Sequence, residues 1–357
     1  MGERLFLVGV LTKLEEKWEK IDSLKELSAL GKSANGEVVE MILQRRERID
    51  PAYFIGKGKA EELAQIGSDL NIDTFVFDEE LSGSQIKNLE EITDRKIIDR
   101  TELILDIFAK HANTLASKIE IELTQLQYRL TRLTGKGVAL SRLGGGIGTM
   151  GPGEQKLEID RRKIRERVHT LEKRLEDIEL SKQVQSKRRK DFRRIALVGY
   201  TNAGKSTIMN KLTHSNLLVE DKLFSTLDST TRILMSPDQR KFLVTDTIGF
   251  LRKLPHGLIA SFRSTLQEAI EADLRLHVID IAHPHCELQL LAGNEILEGL
   301  GVADKPIVYI FNKIDKDIGN LPIFKRRYPD ALFISAKTTG VKVVKEKIFS
   351  FFQTNKA

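Results

Sequence analysis

Three features of the sequence predict an α/β protein built in three parts. Short β-rich runs alternate with helical stretches up to residue 112. A leucine heptad, interrupted by a glycine-rich loop, fills 113–191, and from 192 a second alternating pattern opens on a strand that runs into GYTNAGKST. The fold class is therefore an N-terminal parallel-sheet α/β domain (1–112), an antiparallel coiled-coil helical hairpin (113–191) and a C-terminal α/β domain around a glycine-rich loop (192–357).

In the first part the candidate strands are 5–11, 38–44, 74–78 and 96–100, separated by LKELSAL, AEELAQIGSDL and SQIKNLEEI. Apolar residues in those segments recur at helical spacing, so the strands must be joined by crossovers and run parallel. The GKGK at 56–59 is too short for a phosphate fingerprint and reads as a turn.

In the second part Ile119, Leu123, Leu126, Leu130 and Leu133 step by 4, 3, 4, 3. After a gap, Leu157, Ile164, Val168, Leu171, Leu175 and Ile178 keep a compatible heptad, and two such helices pack as an antiparallel hairpin. The loop expected between them, 135–154, has Gly at eight of twenty positions and is longer than a tight connection needs. Residues 156–194 carry 15 Lys or Arg against 8 Asp or Glu, more than the net +6 of the whole chain. A basic hairpin with a glycine-rich tip suits a structured polyanion: cations neutralise phosphates and glycine allows close backbone approach. Aromatic residues are scarce there, so stacking on unpaired bases is not indicated.

The third part carries the chemistry. Residues 199–207 (Gly199, Tyr200, Thr201, Asn202, Ala203, Gly204, Lys205, Ser206, Thr207) fit G-x-x-x-x-G-K-[ST] directly after an apolar strand. Gly199 and Gly204 let backbone amides face phosphate oxygens, Lys205 reaches the terminal phosphates, and Ser206 is a Mg²⁺ ligand. Forty residues on, Asp246, Thr247, Ile248 and Gly249 form D-x-x-G at the end of an apolar strand, with Asp246 holding Mg²⁺ through water and Gly249 sensing a γ-phosphate. In FNKID, Asn312 and Lys313 brace the base and the loop, and Ile314 precedes Asp315, whose carboxylate accepts from the N1 and exocyclic amine of guanine. Adenine does not offer those donors in that pattern. Ser335, Ala336 and Lys337 follow another strand, with an amide near Ala336 suited to guanine O6. Together the four motifs imply a P-loop GTPase domain that binds GTP and GDP with Mg²⁺ and hydrolyses GTP. The first switch falls in LFSTLDSTTR, where Thr226, Thr230 and Thr231 are candidates for the second Mg²⁺ ligand.

GYTNAGKST, DTIGF, FSTLDSTTR and above all GGGIGTMGPGEQKLEIDRR resemble the HflX family of translational GTPases. PAYFIGKGKAEEL, VFDEELSGSQIKNLE and IIDRTELILDIFAKHA extend the resemblance over nearly the whole chain. It implies that the switch threonine is Thr226, within Phe224, Ser225, Thr226, Leu227 and Asp228. It also implies a cytoplasmic GTPase that binds the large ribosomal subunit and its RNA, acting in ribosome dissociation and rescue or in biogenesis. Met150 stands where the family usually has arginine, Gln155 and Lys156 replace Thr-Gln, and Ser229 replaces a common proline.

Phe250 follows the switch glycine where many signalling GTPases carry glutamine, and it can neither donate nor accept a hydrogen bond. Hydrolysis by the isolated chain is therefore expected to be slow and stimulated by the ribosome. Asn202 sits where cation-dependent GTPases place asparagine, so K⁺ is a candidate second cation. The catalytic set is thus Lys205, Thr226, Gly249 and Asn202, with Ser206 and Thr226 on the metal. The alternative is a regulatory switch GTPase whose hairpin binds a protein partner. A non-enzymatic RNA-binding protein is disfavoured by the complete nucleotide motifs.

Composition sets the remaining bounds. With 41% hydrophobic and 30% charged residues, and no apolar run near the ~18 residues of a membrane span, the chain reads as soluble. The N-terminus lacks the shape of a signal peptide. A single cysteine, Cys286, excludes an internal disulfide framework and fits a reducing cytoplasm. His283, His285 and Cys286 in AHPHCE have no second ligand cluster to complete a tetrahedral metal site and read as loop. The chain is expected to be a monomer.

Overall fold

In a computed structural model, the structure describes residues 2–13, 15–140, 152–187, 192–213, 223, 229–252, 263–302, 304–316, 319, 321–338 and 340–354. The chain divides into two compact units, Met1–Lys110 with Lys118–Glu179, and His111–Ser117 with Leu180–Ala357.

The first unit opens on β1 (Arg4–Leu11), α1 (Lys17–Ser33), β2 (Glu37–Arg45), α2 (Lys57–Asp69), β3 (Thr74–Phe77), α3 (Gly83–Thr93), β4 (Lys96–Asp99) and α4 (Arg100–His111). The four strands form one sheet in the order β2-β1-β3-β4, every pair parallel. β1 lies inside the sheet with both faces covered, which is why Leu5 to Leu11 are all buried and the segment reads as an unbroken apolar run. α3 starts with a capping box in which the Ser82 hydroxyl accepts from the Gln85 amide and the Gln85 side chain accepts from the Ser82 amide. The GKGK segment is more than a turn: Gly56, at φ 87, precedes the first residue of α2, and Lys57 to Lys59 are already helical.

Carboxylates at the C-terminal ends of β3 and β4 organise this unit. Asp78 is wholly buried and accepts from Ser23 Oγ at 2.7 Å and from Arg100 Nη1 at 2.8 Å. Asp99 accepts from Tyr128 Oη at 2.6 Å and is ion-paired with Arg132, so it fastens the next helix to the sheet. Burial, then the nearby Asp99 charge, pushes the Tyr128 hydroxyl far above its ordinary pKa, which keeps it a donor.

That helix is α5 (Leu115–Leu140), and α6 (Pro152–Lys187) is its partner. Ile119, Leu123 and Leu171 are buried in their seam, with Leu126, Val168, Leu175 and Ile178 packed against them, as the heptad requires. The helices run further than expected: α5 continues through Gly135 and Gly137, and α6 begins at Pro152, a proline at the first helical position. The rest of the glycine-rich loop, including Met150, lies outside the described residues. Arg161 is not a free surface cation, because its guanidinium donates to the Leu133 carbonyl at 2.8 Å and ties the two helices together. Arg162, Lys163, Arg165 and Arg174 are exposed on α6.

The second unit carries β5 (Arg193–Gly199), α7 (Lys205–Thr213), β6 (Thr230–Met235), β7 (Lys241–Asp246), α8 (Arg263–Glu271), β8 (Leu274–Asp280), α9 (Cys286–Gly299), β9 (Ile307–Asn312), α10 (Leu321–Arg327), β10 (Leu332–Phe333) and α11 (Val341–Thr354). Its six strands are ordered β10-β9-β8-β5-β7-β6, with only β6 antiparallel to its neighbour. Because β5, β7, β9 and β10 are parallel, the segments that follow them emerge at one edge of the sheet. Open α/β sheets bind ligands at that edge. α11 covers the core with Val344, Ile348 and Phe352 at i, i+4 and i+8, and the Phe242 ring lies 5.2 Å from that of Phe352.

Candidate functional site

The loop after β5 turns on two glycines. Gly199 has φ 137 and Gly204 φ 99, both in the region that favours glycine. At Gly199 a Cβ would collide with the Val278 carbonyl, and at Gly204 with the Asn312 side-chain nitrogen. Asn202, at φ 59, is the loop's left-handed non-glycine residue and is exposed on it.

Asn312 joins the motif segments. Its Nδ2 donates to the Ala203 carbonyl at 2.8 Å, and its Oδ1 accepts from the Ala336 amide at 2.8 Å. One buried side chain thereby links the loop after β5, the end of β9 and the turn after β10. The Ala336 amide is committed to this bond, so a base contact in that turn has to draw on its neighbours as well. Asp315, in a short 3-10 turn (Ile314–Lys316), is exposed, and a hydrogen bond from Ser335 holds its carboxyl below the usual range. It remains an anionic acceptor at any physiological pH. A cavity of about 270 Å³ opens here, lined by Asn202, Gly204, Thr207, Lys313, Asp315 and Lys337 among others.

On the phosphate side, Ser206 Oγ donates to Asp246 Oδ2 at 2.5 Å, and Asp246 is wholly buried at the end of β7. A serine hydroxyl and a carboxylate are hard oxygen donors, so this pair fits a Mg²⁺ ion bound directly by Ser206 and through water by Asp246. Thr247 is held to β5 by a hydroxyl bond to the Leu197 carbonyl at 2.7 Å, and Ile248 is buried. Gly249 presses against Thr201: a Cβ there would sit 2.6 Å from Thr201 Cα. Phe250 donates its amide to the Gly199 carbonyl and accepts from the Thr201 amide at 2.8 Å. The two segments are thus zipped together by main-chain bonds.

Of the three threonines considered for the first switch, two have places in β6. Thr230 lies opposite Asp246 in the ladder, and the Thr231 hydroxyl is 2.9 Å from that of Thr245. Phe224, Ser225, Thr226, Leu227 and Asp228 lie outside the described residues. The AHPHCE segment is a turn as far as His285, but Cys286 already begins α9, and burial pushes its thiol up to about 11.

Several contributors carried no motif signal. Asp280, the last residue of β8, ion-pairs with Lys313 at 2.7 Å and fixes that side chain, whose own backbone is left-handed at φ 65. The hint was an aspartate ending an apolar strand, as Asp246 does. Phe250 is buried edge-on against His277, with ring centroids 6.2 Å apart, and a Cβ on Gly293 would crowd both rings. The Tyr200 hydroxyl accepts from the Arg252 amide at 2.7 Å, a second clasp between the loop and the D-x-x-G segment.

Comparison with known proteins finds matches along much of the chain. A family described as GTP-binding GTPase N-terminal matches residues 21–109, GTP-binding GTPase Middle Region matches 111–189, and 50S ribosome-binding GTPase matches 194–313. The chain is 48% identical over 315 residues to a GTPase HflX of Caldanaerobacter subterraneus subsp. tengcongensis, covering 88% of this chain and 73% of that one. It is 40% identical over 342 residues to GTPase HflX of Escherichia coli, covering 94% and 80%. Among solved structures, SsGBP in complex with GDP superposes with a TM-score of 0.57 at 26% identity, covering 99% of this chain and all of that one. A GTP-binding protein of Sulfolobus solfataricus, also with GDP, has the same fold at a TM-score of 0.52 and 24% identity.

Electrostatics set the loop up for an anion. Lys205 is buried and its ammonium donates to the carbonyls of Gly199 at 3.1 Å and Tyr200 at 2.9 Å. Burial lowers its pKa to about 8, with Asp246 opposing the shift. Burial and the Lys205 charge lower His277 to about 4, so that imidazole is neutral at physiological pH. Phosphate oxygens placed beside Lys205, as the loop motif leads one to expect, would favour its charged form, so nucleotide binding would raise that pKa and take up a proton wherever the free site has lost one. The sign follows: GDP affinity is fully present below pH 8, and between the free and bound pKa values it falls by up to about tenfold per pH unit. Calorimetry at pH 9 in two buffers of different ionisation enthalpy should show proton uptake that is absent at pH 6.5.

Proposed function

The chain belongs to the GTPase HflX family and is a GTP-binding P-loop GTPase that hydrolyses GTP; from that premise we propose which residues perform the reaction and what it serves. The observation that carries the assignment of the site is the pair of bonds made by Asn312, which assembles the phosphate loop and the base pocket around one side chain.

Asp315 accepts from guanine N1 and the exocyclic amine, and a main-chain amide of the Ser335–Lys337 turn donates to O6. Lys313, tethered to Asp280, flanks the base. The amides of Gly199 to Thr207 wrap the phosphates, and Lys205 gives up its carbonyl partners to bind them. Ser206 and Thr226, with Asp246 through water, would hold a Mg²⁺ ion, which would supply positive charge to the terminal phosphates. The Gly249 amide senses the γ-phosphate. Phe250 points its ring into the core against His277 and leaves no hydrogen-bonding side chain at the water-positioning place. Turnover of the isolated chain is therefore slow. Asn202 offers an amide oxygen for K⁺, which would supply positive charge near the β- and γ-phosphates as an arginine finger does.

The partner is the large ribosomal subunit in a cytoplasmic setting, and GTP turnover is coupled to ribosome dissociation and rescue or to assembly. Three supports favour this: the family description matched by residues 194–313, the basic exposed positions of α6, and the glycine-rich connection between the hairpin helices. The parts divide near residues 112 and 191, with the hairpin as the polyanion-reading element and 192–357 as a monomeric G domain. Among the described residues no helix is long and apolar enough to cross a membrane.

Asp315→Asn should lose GDP binding by about a hundredfold and gain xanthine nucleotide binding, because the amide complements the extra carbonyl. Fluorescent-nucleotide titration reads both, and an unchanged guanine preference contradicts the base assignment. In co-sedimentation with large subunits and a non-hydrolysable GTP analogue, the chain should pellet. Neutralising Arg162, Lys163 and Arg165 together should weaken the association and flatten its salt dependence by about two to three logarithmic units per unit of log salt. GTPase turnover should be strongly stimulated by the subunits, and more weakly by K⁺ over Na⁺ unless Asn202 is alanine. Normal nucleotide binding with no ribosome association would favour a protein partner for the hairpin.

A further inference from the structure

The seam between the phosphate loop and the D-x-x-G segment contains a polar group with no partner among the described residues and no assigned role. Thr201, the third residue of the loop, is 7% exposed, and its hydroxyl makes no hydrogen bond among the described residues. Its main chain is fully engaged, with the amide donating to the Phe250 carbonyl at 2.8 Å. Its methyl group occupies the space a Gly249 side chain would need, since a Cβ on Gly249 would lie 2.6 Å from Thr201 Cγ2. The residue is therefore wedged between the two segments, with its hydroxyl left over.

Leaving a buried hydroxyl unpaired is costly, and a valine would have the same shape without that cost. Tyr200 next to it uses its own hydroxyl as an acceptor for the Arg252 amide, and Thr247 across the seam spends its hydroxyl on the Leu197 carbonyl. Thr201 alone among these three has a polar group to spare beside the switch glycine. The part of a bound nucleotide that reaches both the third loop residue and the D-x-x-G glycine is the terminal phosphoryl group of GTP, which GDP lacks.

We propose that the Thr201 hydroxyl donates a hydrogen bond to a γ-phosphoryl oxygen of bound GTP, making it a contact that distinguishes GTP from GDP and strengthens as charge builds on that oxygen during transfer. This rests on the reading of residues 199–207 as the phosphate loop. It adds a side-chain contact to a loop whose other direct phosphate contacts are read as backbone amides and Lys205. Thr201 also explains the glycine at 249 in a second way: the amide that senses the γ-phosphate must approach over a β-branched side chain, and only a residue without Cβ fits there.

The test compares Thr201→Val and Thr201→Ser with the unaltered chain in three measurements: Kd for GDP, Kd for a non-hydrolysable GTP analogue, and single-turnover hydrolysis with and without large ribosomal subunits. Thr201→Val should keep GDP affinity within about twofold, lose about tenfold in affinity for the GTP analogue, and lose at least as much in hydrolysis rate. Thr201→Ser, which retains the hydroxyl, should restore most of both. A valine variant with an unchanged ratio of analogue to GDP affinity and unchanged turnover overturns the proposal and makes Thr201 a space-filling residue. If valine weakens GDP and the analogue equally while serine does the same, the hydroxyl is not the discriminating group and the proposal also falls. Failure of the unaltered chain to bind GDP would instead refute the assignment of the loop itself.

Discussion

Two hydrogen bonds from one asparagine hold the nucleotide site together. Asn312 sits at the C-terminal end of β9, almost wholly buried, with its amide nitrogen on the Ala203 carbonyl and its amide oxygen on the Ala336 amide. A carboxamide is suited to this, having a donor and an acceptor on one planar group; an aspartate would lack the donor and a leucine both. Segments more than a hundred residues apart in the chain thereby share one fixed geometry. The constraint also explains Gly204, where any Cβ would collide with the Asn312 nitrogen, and so ties the second glycine of the loop to a residue in a different motif.

Around that clasp the charges are arranged in advance of the ligand. Lys205 is buried on two carbonyls that a phosphate can replace, Asp246 is buried on the Ser206 hydroxyl, and Lys313 is anchored by Asp280. Each charge has a partner that compensates part of its desolvation, and each partner is a group that nucleotide or metal can displace or join. Preorganisation of this kind suits phosphoryl transfer, where the protein's work is positioning and electrostatic stabilisation. The main-chain zipper between residues 199–201 and 250 holds Gly249 directly against the loop after β5.

Much of this was legible in the sequence because its motifs encode backbone requirements. Gly199 and Gly204 announce left-handed or crowded positions, and Asp246 and Asn312 end apolar strands whose parallel order brings them, with Asp315 in the turn just after β9, to one sheet edge. The hairpin seam followed from leucine spacing alone, since Ile119, Leu123 and Leu171 are buried together. What stayed hidden were pairings that depend on three-dimensional approach. Nothing local marks Asp280 as the partner of Lys313, or Gly293 as the residue that makes room for His277 and Phe250. Arg161 looked like one more surface cation in a basic run, yet its reach to the Leu133 carbonyl makes it part of the hairpin's own structure. The continuation of α5 through 135–140 is hidden in the sequence because glycine weakens a helix without forbidding it when the flanking turns are already formed.

The dependence of the whole site on Asn312 is open to one direct measurement. Equilibrium GDP binding to Asn312→Ala, together with amide hydrogen exchange across the loop after β5 and the turn after β10, separates a clasp from a local contact. Affinity should drop by at least about a hundredfold, and exchange should rise in both segments at once, because each loses the partner that fixes it. Affinity within a few-fold of the unaltered chain, or faster exchange confined to one segment, would contradict the account.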